Sequence, residues 1–293
     1  MISKDLLKKI KQIQIKTDYL VDNAMVGHFK SAFKGKGMEF EEVREYQVGD
    51  DVKNIDWNMT AKTGFPHIKE FREERELTII IMVDVSSSNY FGTSKKFKNE
   101  LAAELSAFLA YSSIKNNDKV GLLLFSDVIE KFIPPRKGKS HIFRLIKEII
   151  SFKPRSSGTN ISMALEYLIH LIKKRSVAFL ISDFHDKDFE NLLSLASKKH
   201  DLIAFNIYDK IERALPKASL ISFYDLENGE EQLVDSSNKK FREDYEKTAG
   251  KNIFFIKSIF QKLKVDFISL KTDEDFVDPL VKFFKQREKR IRI

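Results

Sequence analysis

The chain from Glu76 onward alternates continuous apolar runs with stretches of helical periodicity. Five runs have the length and the β-branched or aromatic content of strands: Leu77–Val83, Val120–Phe125, Val177–Ser182, Leu202–Tyr208 and Val265–Leu270. Uninterrupted hydrophobicity is typical of strands that are covered on both faces. The pattern therefore predicts an α/β fold with a largely parallel sheet, similar to a Rossmann arrangement, flanked by helices.

Helical segments between these runs are long enough to connect parallel strands. They are Lys95–Ile114, His141–Ser151, Ile161–Lys174, Phe189–Lys199, Lys239–Leu263 and Asp273–Arg287. Val128–Ile133 ends at Pro134 and Pro135 and is predicted to be a short antiparallel edge strand, because sheet edges tolerate proline. We assign residues 76–293 to one domain, with a surface hairpin inserted near 214–234.

Residues 1–75 differ in texture from the rest of the chain. An opening helix is predicted by the amphipathic spacing of Ile2, Leu6, Leu7, Ile10 and Ile13. The stretch that follows is dense in charged and turn residues. We interpret residues 1–75 as a helix and charged segment that docks on the main domain, with Trp57, the only tryptophan, as a buried anchor.

Oxygen-bearing side chains occupy three predicted loops at one edge of the sheet. Asp84, Ser86 and Ser88 form a DxSxS sequence directly after the first strand, Thr159 precedes a helix, and Asp183 ends another strand. Because ligands of open α/β sheets bind outside the carboxyl ends of the strands, we expect these loops to converge. Two carboxylates and three hydroxyls suit Mg²⁺, or Mn²⁺ as a close second.

These five positions resemble the metal-ion-dependent adhesion site of von Willebrand factor A (VWA) domains. The resemblance implies that Asp84, Ser86 and Ser88 form the opening ligand loop. It implies that Thr159 binds the metal directly or through water, and that Asp183 completes the inner or second shell. A plainer interpretation also fits: the three hydroxyl residues cap helices, and Asp84 accepts hydrogen bonds from backbone N–H groups.

A narrower resemblance covers nearly the whole chain. The sequence GMEFEEVREYQVGDDVKNIDW, then Lys69-Glu70-Phe71 and the DxSxS strand, resembles domain-of-unknown-function family 58, which is similar to VWA domains and associated with MoxR-type AAA+ ATPases. The resemblance implies a partner or adaptor of such an ATPase in a chaperone-like or stress-tolerance system of bacteria. Many relatives carry two membrane spans ahead of this region, and we expect none here.

Part of this sequence is not explained by the metal motif, namely Arg44, Tyr46, Asp50, Asp56 and Trp57. We expect these residues to form an ion-paired, aromatic-anchored dock of the N-terminal segment on the sheet edge. A partner-facing surface is the alternative.

Composition narrows the class of protein further. The chain has no cysteine, which excludes disulfides, thiolate zinc sites and cysteine nucleophiles. Without a predicted membrane span or secretory segment, a cytoplasmic protein is expected, with peripheral membrane contact by the first helix as an alternative. The net charge is +8, but the lysines are scattered among acids, so nucleic acid is not an expected partner.

Two enzymatic interpretations compete with a binding role. A magnesium-dependent phosphatase could use Asp84 as its nucleophile, but Ser86 stands where such an enzyme usually places its proton-transferring acid. A nucleotide site could use Gly138-Lys139-Ser140, but Ile133 occupies the position of the required earlier glycine. We therefore expect a non-enzymatic, metal-dependent protein-interaction module, to which a partner such as the ATPase offers an acidic residue.

Overall fold

The computed structural model describes residues 12–13, 29, 32–33, 38–73, 76–90, 92–93, 96–224 and 231–292. The strands in these ranges are β1 Met38–Glu45, β2 His67–Glu73, β3 Thr78–Asp84, β4 Lys119–Phe125, β5 Ile129–Arg136, β6 Val177–Ser182, β7 Asp201–Tyr208, β8 Leu220–Tyr224, β9 Glu231–Asp235 and β10 Asp266–Lys271. The helices are α1 Trp57–Thr63, α2 Lys98–Lys115, α3 Lys139–Ser151, α4 Ile161–Leu171, α5 Glu190–Lys199, α6 Lys239–Lys262 and α7 Val277–Arg292.

Six strands form the central sheet in the order β10-β7-β6-β3-β4-β5. All neighbours are parallel except β4 and β5, which are antiparallel. The predicted α/β class is therefore confirmed, as is the antiparallel edge strand. β5 continues to Arg136 through Pro134 and Pro135, which its edge position allows because β4 is its only neighbour in the sheet.

Apolar side chains of successive strand residues point to opposite faces of the sheet and fill two cores. Ile79 and Ile81 belong to the core that α2, α3 and α7 cover. Ile80 and Met82 belong to the core that α4, α5 and α6 cover. Burial on both faces explains why these strands lack the alternation of a half-exposed sheet.

Residues 38–73 were predicted to be part of a charged segment that docks on the main domain. They fold instead as two strands with a helix between them. β1 and β2 pair antiparallel, from Glu45 opposite His67 to Met38 opposite Glu73, with α1 between them. Trp57 is 68% exposed, so the predicted buried anchor is wrong. Its place at the first position of α1 leaves the indole on the outer side of this hairpin unit, which comprises residues 38–73.

Phe29 and Phe33, not Trp57, join the N-terminal part of the chain to the main core. Their ring centroids lie 5.3 and 5.6 Å from that of Phe284 and 6.4 and 5.8 Å from that of Phe179. The guanidinium Nε of Arg287 also donates to the carbonyl of Ala32 at 3.1 Å. Most of the predicted opening helix lies outside the described residues, although Ile13 is part of the same core.

The predicted insertion is present as an antiparallel hairpin of β8 and β9. The turn near Asn228 and Gly229 lies outside the described residues. Among the helices that the structure describes, none has the length and apolar character needed to cross a membrane.

Candidate functional site

The DxSxS sequence bends back over the end of β3. Asp84 is 2% exposed; its Oδ1 accepts a hydrogen bond from the backbone N–H of Ser86 at 2.9 Å, and its Oδ2 accepts one from the hydroxyl of Ser182 at 2.7 Å. The hydroxyl oxygens of Ser86 and Ser88 lie 3.0 Å apart. The end of β6 therefore contacts the opening loop directly, as the predicted convergence requires.

Asp183 brings the loop after β6 into the same cluster. Its buried carboxylate accepts hydrogen bonds from Lys98 Nζ at 2.8 Å and from the backbone N–H of His185 at 3.2 Å. The Ser88 hydroxyl donates to the same carboxylate. Four of the five predicted positions, Asp84, Ser86, Ser88 and Asp183, are thus joined by hydrogen bonds or by a Ser–Ser contact.

Thr159 lies in a loop that is tied to the DxSxS loop by the backbone N–H of Ser87, which donates to the carbonyl of Ser157 at 3.0 Å. Its hydroxyl is buried and has no hydrogen-bond partner in the described part of the chain. The cap of α4 is the next residue, Asn160, whose Oδ1 accepts from the backbone N–H of Met163 at 2.8 Å. The plainer interpretation of Thr159 as a helix cap is therefore wrong.

The pKa values of the two buried carboxylates, Asp84 and Asp183, are shifted in opposite directions. Burial raises the pKa of Asp84 well above its ordinary value, and the negative charge of Asp183 raises it further. Burial acts in the same direction on Asp183, but the charges of Lys98 and His185 and the hydrogen bonds from Lys98 and Ser88 together outweigh it, so the pKa of Asp183 lies below its usual range. Bringing another cation to the cluster would favour the ionised form of both carboxylates.

Lys98 and Glu212 belong to this cluster and are absent from the residues predicted from sequence. The ammonium of Lys98 is fully buried and lies 2.6 Å from Glu212 Oε1 as well as 2.8 Å from Asp183 Oδ2. Glu212 is held in turn by the backbone N–H of Asp209, which donates to its Oε2 at 2.8 Å. A signal for Lys98 exists in the sequence, because helical spacing puts it on the same face as Ala102 and Leu105.

The donor set fits a hard divalent cation. Two carboxylates, the hydroxyls of Ser86 and Ser88 and the unsatisfied hydroxyl of Thr159 are all oxygen ligands, which Mg²⁺ and Mn²⁺ prefer. Within the described ranges, no group of three or more His, Cys, Asp or Glu side chains could hold a metal. Serine and threonine oxygens would therefore have to supply part of the coordination shell.

The predicted docking residues Arg44 and Asp50 form an ion pair inside the hairpin unit. Two hydrogen bonds of 2.8 and 2.9 Å join the guanidinium to the carboxylate, and Glu70 lies 3.3 Å from the same guanidinium. The hydrogen bonds from Arg44 lower the pKa of Asp50 to about 2. Arg44 and Asp50 therefore pair with each other within the hairpin unit, and their expected role in docking on the sheet edge stays a prediction.

The remaining docking residues also serve the hairpin unit. Asp56 caps α1 by accepting from the backbone N–H groups of Asn58 and Met59 at 3.0 and 3.2 Å. The backbone N–H of Tyr46 donates to the carbonyl of Pro66 at 2.9 Å. With Trp57 exposed, these residues hold an aromatic ring at the surface instead of anchoring it in the core.

Comparison with known families gives a match over most of the chain. Residues 42–253 match the family described as "Protein of unknown function DUF58". An uncharacterized protein of Mycobacterium tuberculosis is 25% identical over 289 residues, which cover 97% of this chain and 90% of that protein.

Solved structures with a similar layout include BatB from Bacteroides thetaiotaomicron, described as a conserved hypothetical protein. It is 15% identical, has a TM-score of 0.48 and covers 73% of this chain and 99% of its own. The VWA domain of SpRpn10 is 10% identical, has a TM-score of 0.39 and covers 71% of this chain and 94% of its own. Both TM-scores are below 0.5, so the α/β fold is assigned from the strand order of the sheet and not from these structures.

Proposed function

The chain belongs to the DUF58 family, and we propose that it is a non-enzymatic protein-interaction module whose recognition depends on a divalent cation. In this proposal Mg²⁺, or Mn²⁺ in its place, is held by Asp84, Ser86, Ser88, Thr159 and Asp183. The observation that carries the proposal is the hydroxyl of Thr159, which is buried and has no hydrogen-bond partner among the described residues. Its loop is tied through Ser87 to the loop that follows the buried carboxylate of Asp84.

An unsatisfied buried hydroxyl is costly, by about 1 to 3 kcal/mol, unless something outside the protein satisfies it. A cation would do so for Thr159. The charges support the same ligand, because the ammonium of Lys98 pairs with Asp183 and Glu212, while Asp84 experiences the negative charge of Asp183. A divalent ion would compensate the remaining negative charge.

A bound Mg²⁺ would supply a positive charge at the carboxyl edge of the sheet. Since the hydroxyl ligands are neutral, they leave part of that charge to be compensated by an incoming group. A carboxylate from another protein suits the role, because charge complementarity gives both orientation and selectivity. The family resemblance adds a candidate partner, a MoxR-type AAA+ ATPase that offers an acidic residue.

A phosphatase that uses Asp84 as nucleophile is less well supported. Both oxygens of Asp84 accept hydrogen bonds, from Ser86 and Ser182, and the side chain is 2% exposed. A nucleophilic carboxylate must reach the phosphorus atom, and an acid must stand nearby to transfer a proton. Ser86, at the position where such an acid is expected, has no proton-transfer group suited to the task.

The test measures binding of the purified MoxR-type ATPase from the same organism to the immobilised chain. We expect the signal to fall when the divalent cation is chelated and to return with added Mg²⁺. Thr159→Val removes the hydroxyl at nearly constant volume and should weaken binding, whereas Thr159→Ser keeps the hydroxyl and should bind like the wild type. A complex that is indifferent to both the chelator and Thr159→Val would contradict the proposal and direct attention to the exposed face around Trp57.

A further inference from the structure

Thr159 lies in the loop that joins α3 to α4, residues 152–160, which contains no helix or strand. In such a loop a side chain keeps its place only where hydrogen bonds fix the backbone on either side of it. One of these bonds, from the N–H of Ser87 to the carbonyl of Ser157, joins the loop to the DxSxS sequence at 3.0 Å. The position of the Thr159 hydroxyl also depends on the groups that hold the rest of the loop.

A buried side chain of the central sheet holds the loop ahead of Thr159. Glu130 is the second residue of β5 and is 9% exposed. Its Oε1 accepts hydrogen bonds from the backbone N–H groups of Arg155 at 2.7 Å and Ser156 at 3.3 Å. Hydrogen bonds to a carboxylate are among the stronger ones in proteins. Glu130 therefore fixes the backbone three and four residues before Thr159.

Ser126, which directly follows β4, holds the loop after Thr159. Its carbonyl accepts the backbone N–H of Asn160 at 2.9 Å. Its buried hydroxyl donates to the same Oε1 of Glu130 at 3.0 Å. The turn between β4 and β5 therefore holds the backbone on both sides of Thr159, and Glu130 contacts both the loop and Ser126.

These three hydrogen bonds all end on one oxygen atom of Glu130. The other oxygen, Oε2, is buried and has no hydrogen-bond partner in the described part of the chain. Whether the loop is held thus depends on how far Oε1 extends from the backbone of β5, because hydrogen bonds weaken steeply when the donor and acceptor move apart. The reach of the side chain and its charge are separate properties, and each can be changed alone.

We propose that Glu130 is a positioning residue of the candidate metal site. By holding the backbone of Arg155 and Ser156, it places the Thr159 hydroxyl at the site, and it acts through the reach of Oε1 and not through its charge. The proposal rests on the proposed function, since it takes Thr159 as a ligand. Replacing a residue that orients a metal ligand typically lowers metal affinity by about 10- to 100-fold.

Two conservative variants separate reach from charge. Glu130→Asp keeps the carboxylate on a shorter side chain, whereas Glu130→Gln keeps the length and Oε1 but removes the charge. In calorimetric titration with Mn²⁺, Glu130→Asp should bind about tenfold more weakly than the wild type, and Glu130→Gln should stay within about threefold of it. Glu148→Asp is the matched control, because Glu148 pairs with Lys131 of the same strand at 2.7 Å, and it should bind like the wild type.

A double-mutant cycle tests whether Glu130 acts through Thr159. In the Thr159→Val background there is no hydroxyl to place, so adding Glu130→Asp should lower the affinity for Mn²⁺ by less than about twofold more. An equal loss in both backgrounds would overturn the proposal. Wild-type affinity in Glu130→Asp, or a loss in Glu130→Gln as large as that in Glu130→Asp, would also overturn it.

Amide hydrogen exchange of the metal-free protein provides a measurement that needs no cation. The N–H groups of Arg155 and Ser156 should exchange about tenfold faster in Glu130→Asp than in the wild type or Glu130→Gln, and unchanged exchange would contradict the positioning role. A wild type that does not bind Mn²⁺ would overturn the proposed function and this inference with it. If Thr159→Val weakens Mn²⁺ binding and Glu130→Asp does not, this inference alone fails.

Discussion

Lys98 supplies the positive charge that pairs with two carboxylates of the candidate site. Its ammonium pairs with Asp183 and Glu212 and is fully buried. Lys98→Met keeps the length of the side chain but leaves two carboxylates uncompensated, so we expect the free energy of unfolding to fall by about 3 to 5 kcal/mol. Urea unfolding of the metal-free protein measures the loss.

Lys96→Met is the control for this prediction. Lys96 pairs with Glu104 at 2.8 Å, but its side chain is 31% exposed, and solvent-screened pairs contribute less than about 1 kcal/mol. If Lys98→Met loses no more stability than Lys96→Met, the buried ion pairs do not have the importance that we assign to them.

His200 gives the molecule a predictable response to acid. It is fully buried, its Nδ1 lies 2.9 Å from the hydroxyl of Ser176, and its Nε2 has no hydrogen-bond partner within the described residues. Burial lowers the pKa of His200 from 6.5 to about 4. The unfolded chain therefore takes up a proton first, and the folded protein loses stability, by at most about 3 kcal/mol, as the pH falls from 6.5 towards 4.

Denaturant unfolding across this pH range checks the prediction. His200→Asn removes the titrating group, so its stability should depend less on pH than that of the wild type. His170→Asn alters a histidine whose side chain is 74% exposed and should follow the wild type. Identical pH profiles for the wild type and His200→Asn would show that His200 does not contribute.

The five candidate oxygen ligands could be proposed from the sequence because each lies next to an element with a strong pattern. Asp84 is the last residue of β3 and Asp183 directly follows β6, and parallel strands bring their carboxyl ends to one edge. Lys98 was missed because its role depends on contacts between distant segments. The pair of Lys98 and Asp183, for example, is separated by 85 positions in the chain.

At the level of elements, Phe29 anchors the N-terminal part of the chain to the main core, a role that was expected of Trp57. Phe29 is 1% exposed and packs in the core, whereas Trp57 is 68% exposed. Phe29→Ala should lower the free energy of unfolding by about 3 to 5 kcal/mol, while Trp57→Ala should cost less than about 1 kcal/mol. Thermal or urea unfolding of the two variants provides the comparison.

Fluorescence of Trp57 tests the same arrangement without a variant. The native emission should be red and readily quenched by acrylamide, close to that of the urea-unfolded chain. A blue-shifted native spectrum together with a large loss of stability in Trp57→Ala would restore Trp57 as a buried anchor and contradict the arrangement described above.

The elements of the main sheet could be predicted because their physical signals are strong. Burial on both faces makes β3, β4, β6 and β7 continuous apolar runs, which locate the strands to within about two residues. β1 and β2 have the sequences MEFEEVRE and HIKEFRE, whose charged residues interrupt any apolar run. β1 and β2 pair with each other across a short connection that contains α1. The hydrophobic pattern alone does not indicate that pairing.

At the scale of the whole molecule, the α/β sheet gathers the candidate metal site at its carboxyl edge. The pairs of Lys98 with Asp183 and Glu212 join that site to the turn after β7. The hairpin unit of residues 38–73 holds its exposed tryptophan on a frame fixed by the pair of Arg44 and Asp50. For the proposed protein-interaction module, the candidate metal site and the exposed face around Trp57 are two separate surfaces on which a partner could be tested.

Calorimetric titration of Mn²⁺ into the purified protein is the most direct test of whether Asp84, Ser86, Ser88, Thr159 and Asp183 hold a cation. We predict one saturable Mn²⁺ site per chain in the wild type and an affinity reduced more than about tenfold in Asp84→Asn, which removes a ligand charge at constant size. Asp188→Asn makes the same change at an exposed position of the loop after β6 and should bind like the wild type. A wild type that binds no Mn²⁺, or an Asp84→Asn variant that binds it as tightly as the wild type, would rule out the proposed metal site.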